Sequence, residues 1–141
     1  MGKPERQGAA LKKAFFKAHP GIEELIGDLE HAFSQRKYIK NIDGRPLYIR
    51  SKTKLLNTLL QGTAAVVFKK WMIKLQEEML PGVRQVIAYH DELQFEVDDA
   101  QTALVWAGIC CGMAERIGKE MGAPIPIEAE AKVGQDWGET H

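Results

Sequence analysis

The sequence predicts an α+β fold, in which an antiparallel β-hairpin or sheet packs with long helices and follows shorter helices and a basic β-hairpin. Three observations predict it: helical spacing of apolar residues in several segments, an Asp-Gly pair between two runs of β-formers, and a second half that alternates strand, tight turn, strand, helix and strand. Of the 141 residues, 45% are hydrophobic and 27% are charged, which is typical of a folded domain rather than a disordered chain.

The first part of the chain is predicted to contain two helices and a hairpin. A basic amphipathic helix is expected over residues 9–16 and a second helix over residues 22–33, with a break at His19-Pro20-Gly21 between them. Residues 38–49 predict a β-hairpin, because Asp43-Gly44 separates two β-rich runs and Gly adopts positive φ at little cost.

The second part begins with a long helix and ends with a small sheet. The helix is expected from about Thr53 to Met79, and its apolar side is formed by Leu56, Leu59, Leu60, Thr63, Val67 and Trp71. Residues 83–89 and 93–97 predict two strands, and Asp98 and Asp99 cap a helix that runs to about Met121. Residues 125–132 alternate apolar and acidic side chains, so we expect a half-exposed strand and a three-stranded antiparallel sheet with a helix on one face.

The formal net charge is zero, but the charge is unevenly distributed. Residues 1–74 contain 15 Lys plus Arg against 6 Asp plus Glu, a net of +9, whereas residues 75–141 contain 4 against 13, a net of −9. The asymmetry favours a polyanionic partner on the basic part, although mutual attraction of the two parts explains it equally well. No apolar run approaches the ~18 residues of a membrane span, residues 1–6 contain no apolar signal core, and two adjacent cysteines form no zinc site. We therefore expect no membrane partner and a cytoplasmic location.

The chemically most informative segment is His90-Asp91-Glu92, at a tight connection between two apolar strands. Turns of this kind usually contain Gly or Asn, and this one contains neither; an ordinary solvated turn is the alternative explanation. Carboxylate oxygens suit Mg²⁺, and two metal ions can neutralise the attacking and leaving oxygens of phosphoryl transfer. Because the chain offers no convincing second acidic segment, we expect half of such a site.

Several segments resemble the DNA polymerase I-like family, the family A DNA polymerases. Residues 86–97, VIAYHDELQFEV, resemble motif C of that family, and residues 56–75 with Gln61-Gly62-Thr63-Ala64-Ala65 resemble the long palm helix before it. The hairpin with Asp43-Gly44-Arg45 is most similar to the phage-type branch, and Gly134-Gln135-Asp136-Trp137 resembles the C-terminal tail. The resemblance covers nearly the whole chain in the right order.

The resemblance implies the organisation of the chain and what it lacks. Residues 1–50 correspond to the end of the fingers with the basic hairpin, and residues 51–141 to a palm segment with motif C. Motif A, which brings the other metal-binding aspartate, and motif B, the finger helix that holds the nucleotide, are absent. We therefore expect the C-terminal part or small subunit of a DNA-directed DNA polymerase in a bacterial or phage-infected cytoplasm, inactive without a complementary chain carrying motifs A and B.

The resemblance also implies roles at the acidic turn. Asp91 would be the motif C carboxylate on the catalytic Mg²⁺ ions, in a two-metal site shared with the absent motif A aspartate. Glu92 would support or transiently ligate a metal ion. His90 would lie near the primer terminus, with a turn histidine bonded to backbone as the alternative.

The remaining candidate residues would contact primer–template DNA while dNTP is incorporated. Asn57 and Gln61 share a helix face because they are four residues apart, and their amides can donate to minor-groove acceptors. The alternative is two solvated polar residues. The hairpin and the residues after it would meet phosphates or merely keep the surface soluble. These cations are Arg45, Arg50, Lys52 and Lys54.

Two other functions stay open on the sequence. The chain could be a non-catalytic DNA-binding or assembly module derived from a polymerase, in which the acids are only structural. A stand-alone metal-dependent phosphoesterase is the weaker alternative, because it needs further carboxylates near Asp91.

Overall fold

The computed structural model describes residues 5–140 and confirms the α+β class. In chain order its elements are α1 (Glu5–Ala18), α2 (Pro20–Arg36), β1 (Tyr38–Lys40), β2 (Pro46–Tyr48), a 3₁₀ turn (Lys52–Lys54), α3 (Leu55–Glu77), β3 (Val83–Tyr89), β4 (Glu92–Val97), α4 (Ala100–Glu120) and α5 (Trp137–Thr140). Residues 1–4, which are part of the segment expected to contain no signal core, lie outside the described residues.

The chain divides into two compact units, and the boundary lies within α3, between Ala64 and Ala65. We call these units the N-terminal unit and the C-terminal unit. The assignment of residues 1–50 to the end of the fingers and of residues 51–141 to the palm stays a prediction.

Local sequence explains how the helices of the N-terminal unit begin and end. Pro20 is the first residue of α2, where its missing N–H and fixed φ are tolerated, while the residue before a proline is disfavoured in helical conformation. The predicted break between the two helices is therefore confirmed at His19, whereas Pro20 and Gly21 already belong to α2. Lys37 ends α2 in the left-handed region at φ 61°, and its N–H donates to the carbonyl of Phe33 over 2.9 Å.

The predicted hairpin is confirmed and provides the core of the N-terminal unit. Tyr38 pairs with Tyr48 and Ile39 with Leu47, and Gly44 takes φ +84° in the connecting loop. Ile39 is 1% exposed and packs with Leu29 of α2 and Leu55 of α3. The alternation of the short strands directs one side of the hairpin onto the helices and leaves its charged side chains outside.

The C-terminal unit is a two-stranded sheet with α4 on one face. Strands β3 and β4 pair from Val83 opposite Val97 to Tyr89 opposite Glu92, with an irregularity between Gln85 and Ile87. Asp99 is the N-cap of α4, since its carboxylate accepts from the backbone N–H of Thr102 over 2.9 Å. The core of this unit consists of Leu75, Val83, Trp106, Cys110, Met113 and Ile117.

The expected strand over residues 125–132, and with it the three-stranded sheet, is wrong. These residues form no strand, and the described residues contain two separate two-stranded sheets. Instead, Ile127 packs on α4: a Cβ added at Gly118 would lie 3.0 Å from its Cγ1. The alternation of apolar and acidic residues specifies which side chains face inward. A strand also needs the edge of an adjacent strand for its backbone hydrogen bonds. Here the segment contacts the helix.

Candidate active-site and DNA-binding residues

The acidic turn is a two-residue hairpin loop that carries backbone strain. Tyr89 pairs with Glu92, which leaves His90 and Asp91 as the loop, and His90 takes φ 52°. A hairpin loop of this length requires positive φ at its first position and favours Gly there. A histidine in that conformation costs of order 1 kcal/mol, and such strain clusters at functional sites.

The strain is accompanied by exposure of the two loop side chains. His90 and Asp91 are both exposed, and the His90 ring lies against Tyr89 with 4.2 Å between ring centroids. Because Asp91 belongs to the turn, the strict alternation of side chains in a strand does not separate it from its neighbour Glu92.

Glu92 is held in a defined orientation by a residue that the sequence analysis did not identify. Glu92 is the first residue of β4 and half-buried, and Gln94 Nε2 donates a hydrogen bond to its carboxylate oxygen Oε1. Residues two apart in a strand point to the same face, so the spacing of Glu92 and Gln94 contained the signal.

The two carboxylates match part of a magnesium site. Among residues 5–140 there is no group of three or more His, Cys, Asp or Glu side chains that could hold a metal ion. Mg²⁺ is commonly bound through one or two carboxylates, with waters and substrate phosphates in the other positions. Asp91 and Glu92 therefore fit this ion as one contribution to its ligands, and they are the residues that would hold it.

A cavity of about 520 Å³ lies in the C-terminal unit beside β4. Its walls are β4 from Glu92 onwards, the side of α4 that carries Trp106 and Cys110, and residues 129–134. Trp106 Nε1 is buried without a hydrogen-bond partner, which is uncommon for a buried donor. Burial, with a smaller contribution from Cys111, raises the pKa of the Cys110 thiol to about 12, so this thiol is protonated at neutral pH.

Asn57 and Gln61 lie on an exposed face of α3 in the N-terminal unit. Both side chains are exposed, whereas Leu55 at the start of the helix is 2% exposed. Leu60, which was expected on the buried side, is 54% exposed and lies on the same face as the two amides. The i, i+4 spacing thus leaves two amides and one apolar side chain exposed on one face of α3.

The predicted DNA-binding cations are exposed, and they differ in their neighbours. Arg45 Nε donates to Asp43 Oδ2 over 2.5 Å. Desolvation tends to raise the pKa of Asp43, but hydrogen bonds from Arg45 outweigh it and hold that pKa below its ordinary value. In the described part of the chain no ion pair involves Arg50, Lys52 or Lys54, which leaves their charge available to a polyanion.

A buried amide lies between the hairpin and α3, and the sequence analysis did not identify it either. Asn41 is 6% exposed, and its Nδ2 donates to the carbonyl of Gly62 over 3.2 Å. Polar residues in hairpin loops are usually exposed, and no sequence periodicity marks the one that is buried. Only the tertiary structure therefore identifies this contact.

Comparison with known proteins agrees with this arrangement of segments. The family model for DNA polymerase family A matches residues 1–139. DNA-directed DNA polymerases of Enterobacteria phage T3 and Escherichia phage T7 are each 27% identical to the chain over 164 residues, covering all of this chain and 23% of their own length. The thermostable DNA polymerase I of Thermus caldophilus is 27% identical over 95% of this chain and 17% of its own length.

The chain spans about a quarter of the length of the phage relatives it matches. No helix within residues 5–140 has the length and apolar character needed to cross a membrane. The family match extends over both compact units and includes the strained acidic turn. The chain therefore belongs to DNA polymerase family A.

Proposed function

We propose that this chain provides the C-terminal, motif C-bearing part of a DNA-directed DNA polymerase and contributes Asp91 to its active site. The observation that carries the proposal is the two-residue loop in which His90 accepts an unfavourable φ and Asp91 is exposed at the tip. A loop built only for folding would be more stable with Gly at the first position. Family membership over residues 1–139 supports the same assignment.

The reaction is the attack of the primer 3′ oxygen on the α-phosphorus of dNTP, with pyrophosphate as the leaving group. When bound, Mg²⁺ supplies neutralisation of the charge on the attacking and leaving oxygens. Asp91 and Glu92 would hold the ion, and the hydrogen bond from Gln94 orients the Glu92 carboxylate. The exposed ring of His90 donates to acceptors of the primer terminus.

The N-terminal unit contributes the DNA contacts. Arg50, Lys52, Lys54 and Arg45 contact phosphates, which positions the duplex without reading its sequence. Asn57 and Gln61 donate to the minor-groove acceptors that all base pairs share. This combination suits an enzyme that must accept every correct base pair.

The active site needs a further polypeptide segment, and the cavity beside β4 is the surface that fits one. Strand β4 and residues 129–134 line it from two sides, and β4 pairs only with β3 among the described residues. An extended segment lying there would pair with the open edge of β4. It would also reach Glu92, where a second acidic residue is required. We propose that this segment belongs to the polymerase part that carries motif A.

The decisive substitution is Asp91→Asn, tested in the chain combined with the polypeptide that supplies motifs A and B. We expect primer extension to fall by at least roughly 100-fold, as when one preorganised charge-stabilising group is removed, while the Kd for primer–template DNA changes little. Asp98→Asn, a carboxylate just after β4, is the matched control and should extend primers at the normal rate. The wild-type chain alone should extend none.

The same experiment distinguishes the other functions. An unchanged extension rate for the Asp91→Asn complex would support the non-catalytic DNA-binding module. Extension by the isolated chain would contradict the view that it holds only part of the active site.

A further inference from the structure

We infer that Asn41 is a positioning residue that holds the basic hairpin against α3, so that Arg45 and Gln61 contact one DNA duplex at a constant separation. The inference rests on the proposed function, since it assumes that these two residues contact DNA. All the residues concerned lie in the N-terminal unit.

The side chain of Asn41 connects the hairpin loop to the helix. Its Nδ2 donates to the carbonyl of Gly62 over 3.2 Å, and its Oδ1 accepts from the backbone N–H of Ile42 over 2.9 Å. Thr63 Oγ1 donates to the same oxygen over a longer 3.5 Å. With the side chain buried, these hydrogen bonds form away from competing water.

The backbone of Asn41 is bound at the same time to the loop that carries Arg45. Its N–H donates to the carbonyl of Arg45 over 2.8 Å, and its carbonyl accepts from the N–H of Gly44 over 2.9 Å. One residue is thus hydrogen-bonded to Arg45 through its backbone and to Gly62, the neighbour of Gln61, through its side chain.

Gly62 is the residue on α3 that makes this close contact sterically acceptable. A Cβ at position 62 would lie 3.1 Å from Leu47 Cδ1 and 3.3 Å from both terminal atoms of the Asn41 amide. Distances this short are tighter than ordinary van der Waals contact, so the loop and the helix meet with no space between them.

An amide at this position contributes to orientation as well as to stability. An apolar residue of similar size would fill the same space, but it would leave the N–H of Ile42 without its acceptor, which costs stability. A buried hydrogen bond to one particular carbonyl selects one arrangement of hairpin and helix. Asn41 thereby fixes the relative position of the two DNA-contacting groups.

A double-mutant cycle on DNA affinity tests this role in the full chain. The Kd for a primer–template duplex is measured by fluorescence anisotropy for Arg45→Ala, Gln61→Ala and the double variant, at one ionic strength because salt weakens phosphate contacts steeply. If the two groups are held together, the double variant deviates from the product of the single effects by about twofold to tenfold.

The same cycle is then repeated in an Asn41→Leu background, where we expect the deviation to disappear and the two effects to multiply. Leu29→Ala, which removes a core side chain of the same unit, is the control for general destabilisation and should retain the deviation. Should Asn41→Leu fail to fold, Asn41→Asp replaces it: this variant keeps the acceptor for Ile42 but has no N–H for Gly62, and it should also lose the deviation.

The outcomes separate this inference from the proposed function. The positioning role would be overturned if the deviation survived in both Asn41 variants. It would also be overturned if the wild type showed no deviation although each single variant weakened binding. In either case the proposed DNA contacts would still stand. Loss of the deviation in the Leu29→Ala control as well would also overturn the positioning role. If neither Arg45→Ala nor Gln61→Ala weakens binding, the proposed DNA contacts fail and the inference fails with them.

Discussion

Gly118 provides the sharpest test of how the C-terminal unit is packed. This residue is buried on α4, and a Cβ there would lie 3.0 Å from Ile127 Cγ1, 3.1 Å from its Cβ and 3.3 Å from its backbone nitrogen. Gly118→Ala therefore pushes the alanine methyl group against the segment that the sequence predicted to be a strand. Gly112 lies on the same helix with nothing within 4 Å of its added Cβ, so Gly112→Ala is the matched control.

Both substitutions gain the higher helix propensity of alanine, but only Gly118→Ala places a methyl group against a neighbouring segment. Gly→Ala in a helix interior stabilises by about 1 kcal/mol, which is the whole expectation for Gly112→Ala. Overpacking a filled site costs about 1–3 kcal/mol, so Gly118→Ala should range from nearly neutral to about 2 kcal/mol less stable than the wild type. The difference between the two variants is then about 1–3 kcal/mol.

Denaturant unfolding followed by tryptophan fluorescence measures this difference. The three tryptophans, Trp71, Trp106 and Trp137, all lie in the C-terminal unit, so the signal reports on that unit alone. Equal stabilisation by Gly118→Ala and Gly112→Ala would refute the reasoning, because it would mean that Ile127 does not press on α4. Contact with α4 would then not be the reason that residues 125–132 form no strand.

Two further outcomes follow from the turn and the cap. Hydrogen bonds from the side chain and backbone N–H of Thr102 lower the pKa of Asp99. The stability that the Asp99 carboxylate provides is therefore fully present above its ordinary pKa of 3.8. This stability is lost as the pH falls through the lower pKa of the folded state. Asp99→Ala should destabilise the C-terminal unit at neutral pH and weaken the dependence of its stability on acid pH. Asp99→Asn should keep most of the cap and lose only this pH dependence. An unchanged dependence of stability on pH in both variants would contradict this. His90→Gly should relieve the strain of the positive φ and stabilise the unit by up to about 1 kcal/mol in denaturant unfolding. The same variant should reduce primer extension by the assembled polymerase. His90→Ala keeps the strain and should not increase the stability.

Much of the local structure could be predicted because it is encoded by neighbouring residues. The break at Pro20, the hairpin around Asp43-Gly44 and the cap at Asp99 depend on φ preferences and on hydrogen bonds between residues close in sequence. The sequence by itself also identified the family, through the order of segments around Asp91, and it pointed to this turn as the candidate active site.

Other features depended on which segments come together in space. Residues 125–132 have the alternation of a strand, yet Ile127 contacts Gly118 on α4 and no ladder forms. Leu60 has helical apolar spacing and is nevertheless exposed. A periodic pattern specifies the faces of an element, but the element that covers each face is set by packing between residues far apart in sequence.

The candidate site shows the same division. Asp91, Glu92 and His90 could be chosen from the sequence because two acids in a short turn between apolar strands are conspicuous. The positive φ of His90, the hydrogen bond from Gln94 and the burial of Asn41 against Gly62 required the structure. Residue types and spacing determined which groups this protein offers for chemistry, whereas tertiary packing decided their orientation, because an orientation is fixed by the atoms that surround a side chain.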